Sequence, residues 1–215
     1  MTNRESRWSE TIWQKYLPIY QQTQQLPFIQ ELISGQLNPQ KFMFYIEQDA
    51  LYLQSFTRLL RSMIERIAIP KYQQYFRDFL HENMAAEQAL HETYLRRDLQ
   101  WIEPTETCTG FIEFNDTLAE MPLEIALAGM LPCFIVYQQL GMYIYDHHVR
   151  EENPYHAWID MYAGIEHSES VIKLREVCDH YGQDLPEFIA KQMDQEYLEG
   201  CLWDQKFWQS CYEMQ

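Results

Sequence analysis

Asn38-Pro39-Gln40-Lys41-Phe42-Met43-Phe44-Tyr45-Ile46-Glu47-Gln48-Asp49-Ala50-Leu51-Tyr52-Leu53 opens the stretch whose reading decides the fold. Asparagine caps helix N-termini, and proline suits the first helical position because its missing N–H is one that the helix leaves unpaired there anyway. The apolar side chains then recur at helical spacing, which predicts a helix to about Ile67. The same spacing recurs on both sides. Trp8, Ile12, Tyr16 and Ile19 mark a helix from about Arg4 to Gln24, and a short one runs from about Phe28 to Ser34, where Gly35 stops it. Downstream, helices are expected from about Lys71 to Trp101, from a Thr105 or Thr107 cap to Glu120, and from Met121-Pro122 to about Arg150. Further helices are expected from about Tyr155 to Ala163 and on to Tyr181. A last one, capped by Asp184 with Pro186 in its first turn, runs to about Tyr212. Period-two alternation is almost absent. The expectation is an all-α bundle of eight or so helices, with antiparallel neighbours joined by short loops.

Seven glycines and nine prolines among 215 residues leave no linker-like stretch, so residues 1–215 are expected to form a single domain. A formal net charge of −16 argues against nucleic acid and against an anionic membrane surface as partners, since both need clustered Lys and Arg. Apolar runs fall short of the roughly 20 residues that span a bilayer, and the first residues do not resemble a secretory signal, which points to the cytoplasm. Five cysteines, an odd number with no C-x-x-C pair, argue for free thiols rather than disulfides or structural zinc.

Four places could carry chemistry. In Leu131-Pro132-Cys133-Phe134-Ile135-Val136-Tyr137, Cys133 and Tyr137 are four apart and share a helix face. Pro132 reads as first-turn proline, which would place Cys133 near the positive end of a helix dipole and favour thiolate. A buried core cysteine is the commoner account of such a residue. Asp49 and Tyr52, three apart, also share a face, and in isolation Asp49 reads as the solvated edge of an apolar stripe. Glu199 sits among large apolar residues in Tyr197-Leu198-Glu199-Gly200-Cys201-Leu202-Trp203, where desolvation would raise its pKa and suit a general acid. Gly200 reads as a site of close packing or ligand approach. Tyr162 places a phenol near a helix end. Aromatic residues form 15% of the chain, enough for some to line a pocket that stacks a flat ligand.

Taken together, Pro27-Phe28-Ile29-Gln30, Phe42, Gln48-Asp49-x-x-Tyr52, Glu87-x-x-Leu90-His91, Leu131-Pro132-Cys133 with Tyr137 and Gly141, Trp158-Ile159-x-x-Tyr162 and Glu199-x-x-Leu202-Trp203 resemble, in order and spacing, thiaminase II, the TenA family. The resemblance spans nearly the whole chain. It implies a haem-oxygenase-like helical bundle, a homotetramer, and a pocket between helices that needs no cofactor and no metal. It further implies hydrolysis of 4-amino-5-aminomethyl-2-methylpyrimidine, and cleavage of thiamin in many members, as part of thiamin salvage. By that resemblance Cys133 is the nucleophile, Asp49 anchors the pyrimidine, and Glu199 donates the proton to the leaving group. Tyr52, Tyr137 and Tyr162 shape the site. Phe111 stands nearest to a family tyrosine, and Leu202 stands where phenylalanine is usual.

Two other readings compete with this one. A di-iron oxygenase on a related scaffold would draw on His81, Glu82, Glu87 and His91, but lacks a second Glu-x-x-His partner. A TenA-like protein acting on another pyrimidine, or without activity, would keep the fold alone.

Overall fold

A computed structural model describes residues 7–95, 98–162 and 165–215, the side chains of residues 90, 91, 161, 162 and 165–167 excepted. Among the described residues there are nine α-helices, one short 3-10 turn and no strand. They are α1 (Trp8–Gln24), α2 (Pro27–Ser34), α3 (Pro39–Arg66), α4 (Pro70–Thr93), α5 (Glu106–Glu120), α6 (Leu123–His147), α7 (His156–Tyr162), α8 (Ile165–Tyr181) and α9 (Glu187–Glu213).

Local sequence sets most of the boundaries. The Asn38 side chain accepts a hydrogen bond from the Gln40 N–H at 2.8 Å, with Pro39 at the first position of α3. Thr105, rather than Thr107, caps α5 by accepting from the Cys108 N–H at 3.0 Å. Gly35 ends α2 with φ +72°, a conformation glycine adopts without steric cost. Two expectations change. α4 stops at Thr93, well short of Trp101, and the chain turns through the 3-10 segment Leu99–Trp101. Asp184 does not cap α9: it sits at φ +54°, and Pro186 occupies the N-cap position with no side-chain bond.

Helix α6 is the axis of the bundle. It packs most extensively on α9 and also on α8, α7 and α5, while α3 packs on α4, α5 and α9. Its 25 residues include an 18-residue window of mean hydropathy 1.5, long and apolar enough to cross a membrane by length and composition alone. Inside the bundle 78% of that window is buried, as suits a core helix wrapped on all sides.

The α6–α9 crossing depends on small residues. A Cβ on Gly200 would lie 2.6 Å from the Gly129 carbonyl oxygen and 2.9 Å from Pro132 Cγ. Gly200 therefore serves close packing of backbone against backbone. Pro132, which cannot donate a hydrogen bond within the helix, turns its ring to that contact. The residue after it is Cys133, so this crossing sets where the thiol sits.

Candidate active site

Helices α3, α4 and α6 enclose a cavity of about 120 Å³. Helical periodicity supplies its polar groups in pairs: Asp49 with Tyr52 from α3, and Cys133 with Tyr137 from α6. Tyr52, Phe56, Phe79, Phe134 and Tyr137 contribute rings. The Tyr52 hydroxyl donates to Cys133 Sγ at 3.1 Å, joining the two helices at the point where a nucleophile would act. All five cysteines are free thiols, and Cys133 alone keeps part of its surface accessible.

The electrostatics differ from the sequence expectation. Helix α6 begins at Leu123, so Pro132 lies inside it and Cys133 is far from the positive helix end. The dipole fades within the first turn and gives this thiol no help. Desolvation pushes the Cys133 thiol well above its ordinary value, the nearby charge of Asp204 adds to the rise, the Tyr52 hydrogen bond pulls against it, and Asp49 adds a smaller increase.

Asp49 is 1% exposed, which overturns the reading of a solvated edge. Burial raises its pKa to about 7, against a downward pull from the Tyr45 hydroxyl. Its Oδ2 has no hydrogen-bond partner within the chain. Buried polar atoms are nearly always paired, so this oxygen is an acceptor held ready in the cavity wall. Gln48, also buried, fixes the helix beside it: its amide donates to the Glu103 carbonyl at 3.2 Å and accepts from the Thr105 N–H at 2.9 Å. That clamp ties α3 to the turn before α5.

The structure adds a second buried carboxylate, one that the sequence reading does not include. Asp204 on α9 is 1% exposed, and neither of its oxygens has a partner in the chain. Desolvation raises its pKa well above the carboxylate range, and its charge bears on Cys133, Tyr52, Tyr197 and Cys201. The signal was present: Tyr197, Cys201, Asp204, Trp208 and Cys211 recur at three- and four-residue steps and form the buried stripe of α9. Glu199 lies off that stripe. It is partly exposed, accepts from the Gln195 side chain at 2.8 Å, and does not border the cavity.

A scan against family models matches residues 13–214 to the TENA/THI-4/PQQC family. The chain belongs to that family. An aminopyrimidine aminohydrolase from Halalkalibacterium halodurans is 25% identical over 94% of each chain. A thiamine biosynthesis multifunctional protein from Corynebacterium efficiens is 27% identical over 84% of this chain and 25% of its own length. Among solved structures, a TenA homologue from P. horikoshii superposes with a TM-score of 0.85 at 22% identity, covering 97% of this chain and 99% of the other. Haem oxygenase 2 from Chlamydomonas reinhardtii gives 0.68 at 12% identity over 95% and 97% of the two chains. The fold is therefore haem-oxygenase-like.

In this TENA/THI-4/PQQC chain Phe111 does not border the cavity. It packs against the Tyr52 ring at 4.4 Å and stacks on Trp203 at 6.0 Å with planes 12° apart, so it acts on the site through the ring it supports. Tyr137 does border the cavity, and its ring lies 5.4 Å from Trp208. The side chain of Tyr162 lies outside the described residues. Among the described residues no three His, Cys, Asp or Glu side chains are grouped to hold a metal, and the side chain of His91, one of the four di-iron candidates, lies outside them.

Proposed function

We propose that this chain is a thiamin-salvage hydrolase that releases ammonia from 4-amino-5-aminomethyl-2-methylpyrimidine through a covalent Cys133 intermediate and cleaves thiamin through the same intermediate, the thiazole leaving as a neutral base and the spare proton passing to solvent. The observation that carries the reading is the convergence of the Tyr52-bonded Cys133 sulfur and the unpartnered Asp49 oxygen in one aromatic-walled cavity. The aminohydrolase name of the relative in H. halodurans supports it.

An aminopyrimidine presents an amidine-like edge, a ring nitrogen beside an exocyclic amine, that suits the free Asp49 oxygen. With Asp49 holding that edge, the ring lies among the aromatic side chains and its methylene faces the thiol. Burial makes both Cys133 and Asp204 hold their protons more tightly than usual, and in the proposed working form the pair has lost one proton. In that form the thiol proton passes to Asp204, and the thiolate, steadied by the Tyr52 hydroxyl, attacks the methylene carbon. The C–S bond forms, the C–N bond breaks, and the proton on Asp204 goes to the departing nitrogen, giving ammonia. Water then attacks the same carbon, the C–O bond forms, sulfur leaves, and the proton from water returns to the Cys133–Asp204 pair. In this reading Asp204, which is buried and whose charge bears on Cys133, takes the acid role expected of Glu199, which is partly exposed and bonded to Gln195, although neither carboxylate borders the cavity.

The five free thiols suit a cytoplasmic setting. Exposed apolar side chains such as Trp101, Ile172 and Phe188 suit a homotetramer, which light scattering on the purified chain measures. The functional test is a hydrolysis assay offering aminopyrimidine and thiamin side by side, with Cys133→Ser as the control. Ammonia release that disappears with the substitution while the helical circular dichroism is retained is the expected result. Undiminished hydrolysis by Cys133→Ser would overturn the covalent route, and no turnover of either compound by the native chain would overturn the assignment.

A further inference from the structure

Among the described residues that line the cavity none belongs to α5, yet α5 grips the tyrosine that bonds to Cys133. Phe111 and Asn115 are four apart and share one face of that helix. Phe111 packs on the Tyr52 ring with centroids 4.4 Å apart. Asn115, 2% exposed, lies one turn further on and donates through Nδ2 to the Ser55 hydroxyl at 2.9 Å. Ser55 is fully buried on α3 and donates in turn to the Tyr52 main-chain carbonyl at 2.8 Å.

A hydroxyl has one hydrogen to give. Ser55 spends its own on the Tyr52 carbonyl, so at Ser55 the Asn115 amide must be the donor, which fixes the end of the amide that carries nitrogen. Tyr52 spends its own on Cys133 Sγ at 3.1 Å, so towards any other partner its oxygen accepts. The second amide hydrogen of Asn115 serves that oxygen. Burial, foremost, and the charges of Cys133 and Asp204 push the Tyr52 pKa up, while a hydrogen bond from Asn115 pulls it down. The bonds therefore run in one direction, from Asn115 to Tyr52 to Cys133. A hydroxyl that accepts a hydrogen bond becomes a better donor, so the amide strengthens the bond to sulfur. Burying an amide between two helices costs free energy where a leucine would not, so packing of α5 on α3 does not account for this residue.

We propose that Asn115 is a positioning residue for the reaction, aiming the Tyr52 hydroxyl at the Cys133 sulfur from a helix outside the cavity. The role rests on the reading of Cys133 as the nucleophile. Asn115 acts through Tyr52, and its loss would leave the hydroxyl to turn and the thiolate with a weaker bond to steady it. The charges that bear on Cys133 are Asp204 from α9 and Asp49 from α3, and Glu82 lines the cavity from α4. A neutral substitution on α5 replaces none of them.

The test is the rate at which iodoacetamide alkylates Cys133, read by mass spectrometry of its peptide across a range of pH. Four proteins are compared: native, Asn115→Leu, Tyr52→Phe and the double variant. Asn115→Leu is expected to slow alkylation about threefold at pH 8 and to move the pH profile upward. In the Tyr52→Phe background the same substitution should change the rate by less than about 1.5-fold, because the tyrosine that carries its effect is gone. In aminopyrimidine hydrolysis Asn115→Leu should lower kcat by a similar factor and leave KM nearly unchanged. Equal slowing in both backgrounds, or an unmoved pH profile, overturns the role. Should Asn115→Leu lose its helical circular dichroism, Ser55→Ala, which removes the partner that holds the amide, goes through the same cycle with the same expected signs and the same overturning result. Alkylation needs no pyrimidine. Failure of the coupling to Tyr52 therefore removes Asn115 and leaves the covalent route standing, whereas failure of hydrolysis by the native chain removes the route and not the coupling.

Discussion

Asp49 and Asp204 are carboxylates buried without full hydrogen bonding, a costly arrangement that folding alone does not explain. For Asp49 the folded chain holds its proton up to about pH 7, whereas the ordinary value of the unfolded chain is 3.8. Between those limits the folded form binds more protons than the unfolded one, so stability falls as pH rises across the window. Asp49→Asn should therefore stabilise the ligand-free protein near pH 8 by up to about 4 kcal/mol and bring little gain near pH 4. Denaturant melts at the two pH values measure this, and the same substitution should abolish pyrimidine binding. At Asp204 the expectation concerns rate. Asp204→Asn should lower aminopyrimidine hydrolysis by about 10²–10⁴-fold, the range for loss of a positioned proton-transfer group. Glu199→Gln should leave it close to the native rate. Steady-state assays of the two variants decide which carboxylate serves the leaving group.

The crossing of α6 and α9 is where element geometry meets the site. Gly200→Ala inserts a methyl group 2.6 Å from the Gly129 carbonyl, an atom of a helix backbone that cannot rotate away. The helices must separate, and overpacking of this kind costs about 1–3 kcal/mol. Because Pro132 also meets that face and precedes Cys133, the separation should weaken the Tyr52–Cys133 hydrogen bond. The expected outcome is a lower melting temperature together with reduced turnover, while Leu202→Phe, at a 40% exposed position of the same helix, should move both little. Much of this level was legible beforehand. Asn38-Pro39 and Thr105 set helix starts by local hydrogen bonding, which depends on neighbours in sequence. The dipole argument does not apply to Cys133, because Leu123 to Leu131 already form the helix before Pro132 and no helix starts there.

Across the whole molecule, the acidic balance and the buried carboxylates act in the same direction. Net charge becomes more negative as pH rises, and self-repulsion adds to the loss of stability set by Asp49. Melting temperature should fall between about pH 5.5 and 8. Added salt should soften the surface part of that fall, since exposed charges are screened far more than buried ones. A bound pyrimidine should raise stability by about 2.7 kcal/mol at a hundredfold excess over its Kd. Thermal shifts across a pH and ligand grid test both expectations.

The sequence by itself determined that this chain is all-helical, that it resembles the TenA family, and that Cys133 pairs with Tyr137 and Asp49 with Tyr52. Each of these follows from spacing along one helix, where three- and four-residue steps fix which side chains share a face. Only the tertiary structure decided that Asp49 is buried, that Asp204 is buried with its charge bearing on Cys133 while Glu199 is partly exposed, that Phe111 packs on Tyr52 from outside the cavity, and that Glu82 lines its α4 wall. Those relations join helices far apart in the chain. They depend on how closely α6 approaches α9 and on what the crossing hides from water, and desolvation of that kind cannot be read from the periodicity of any single segment.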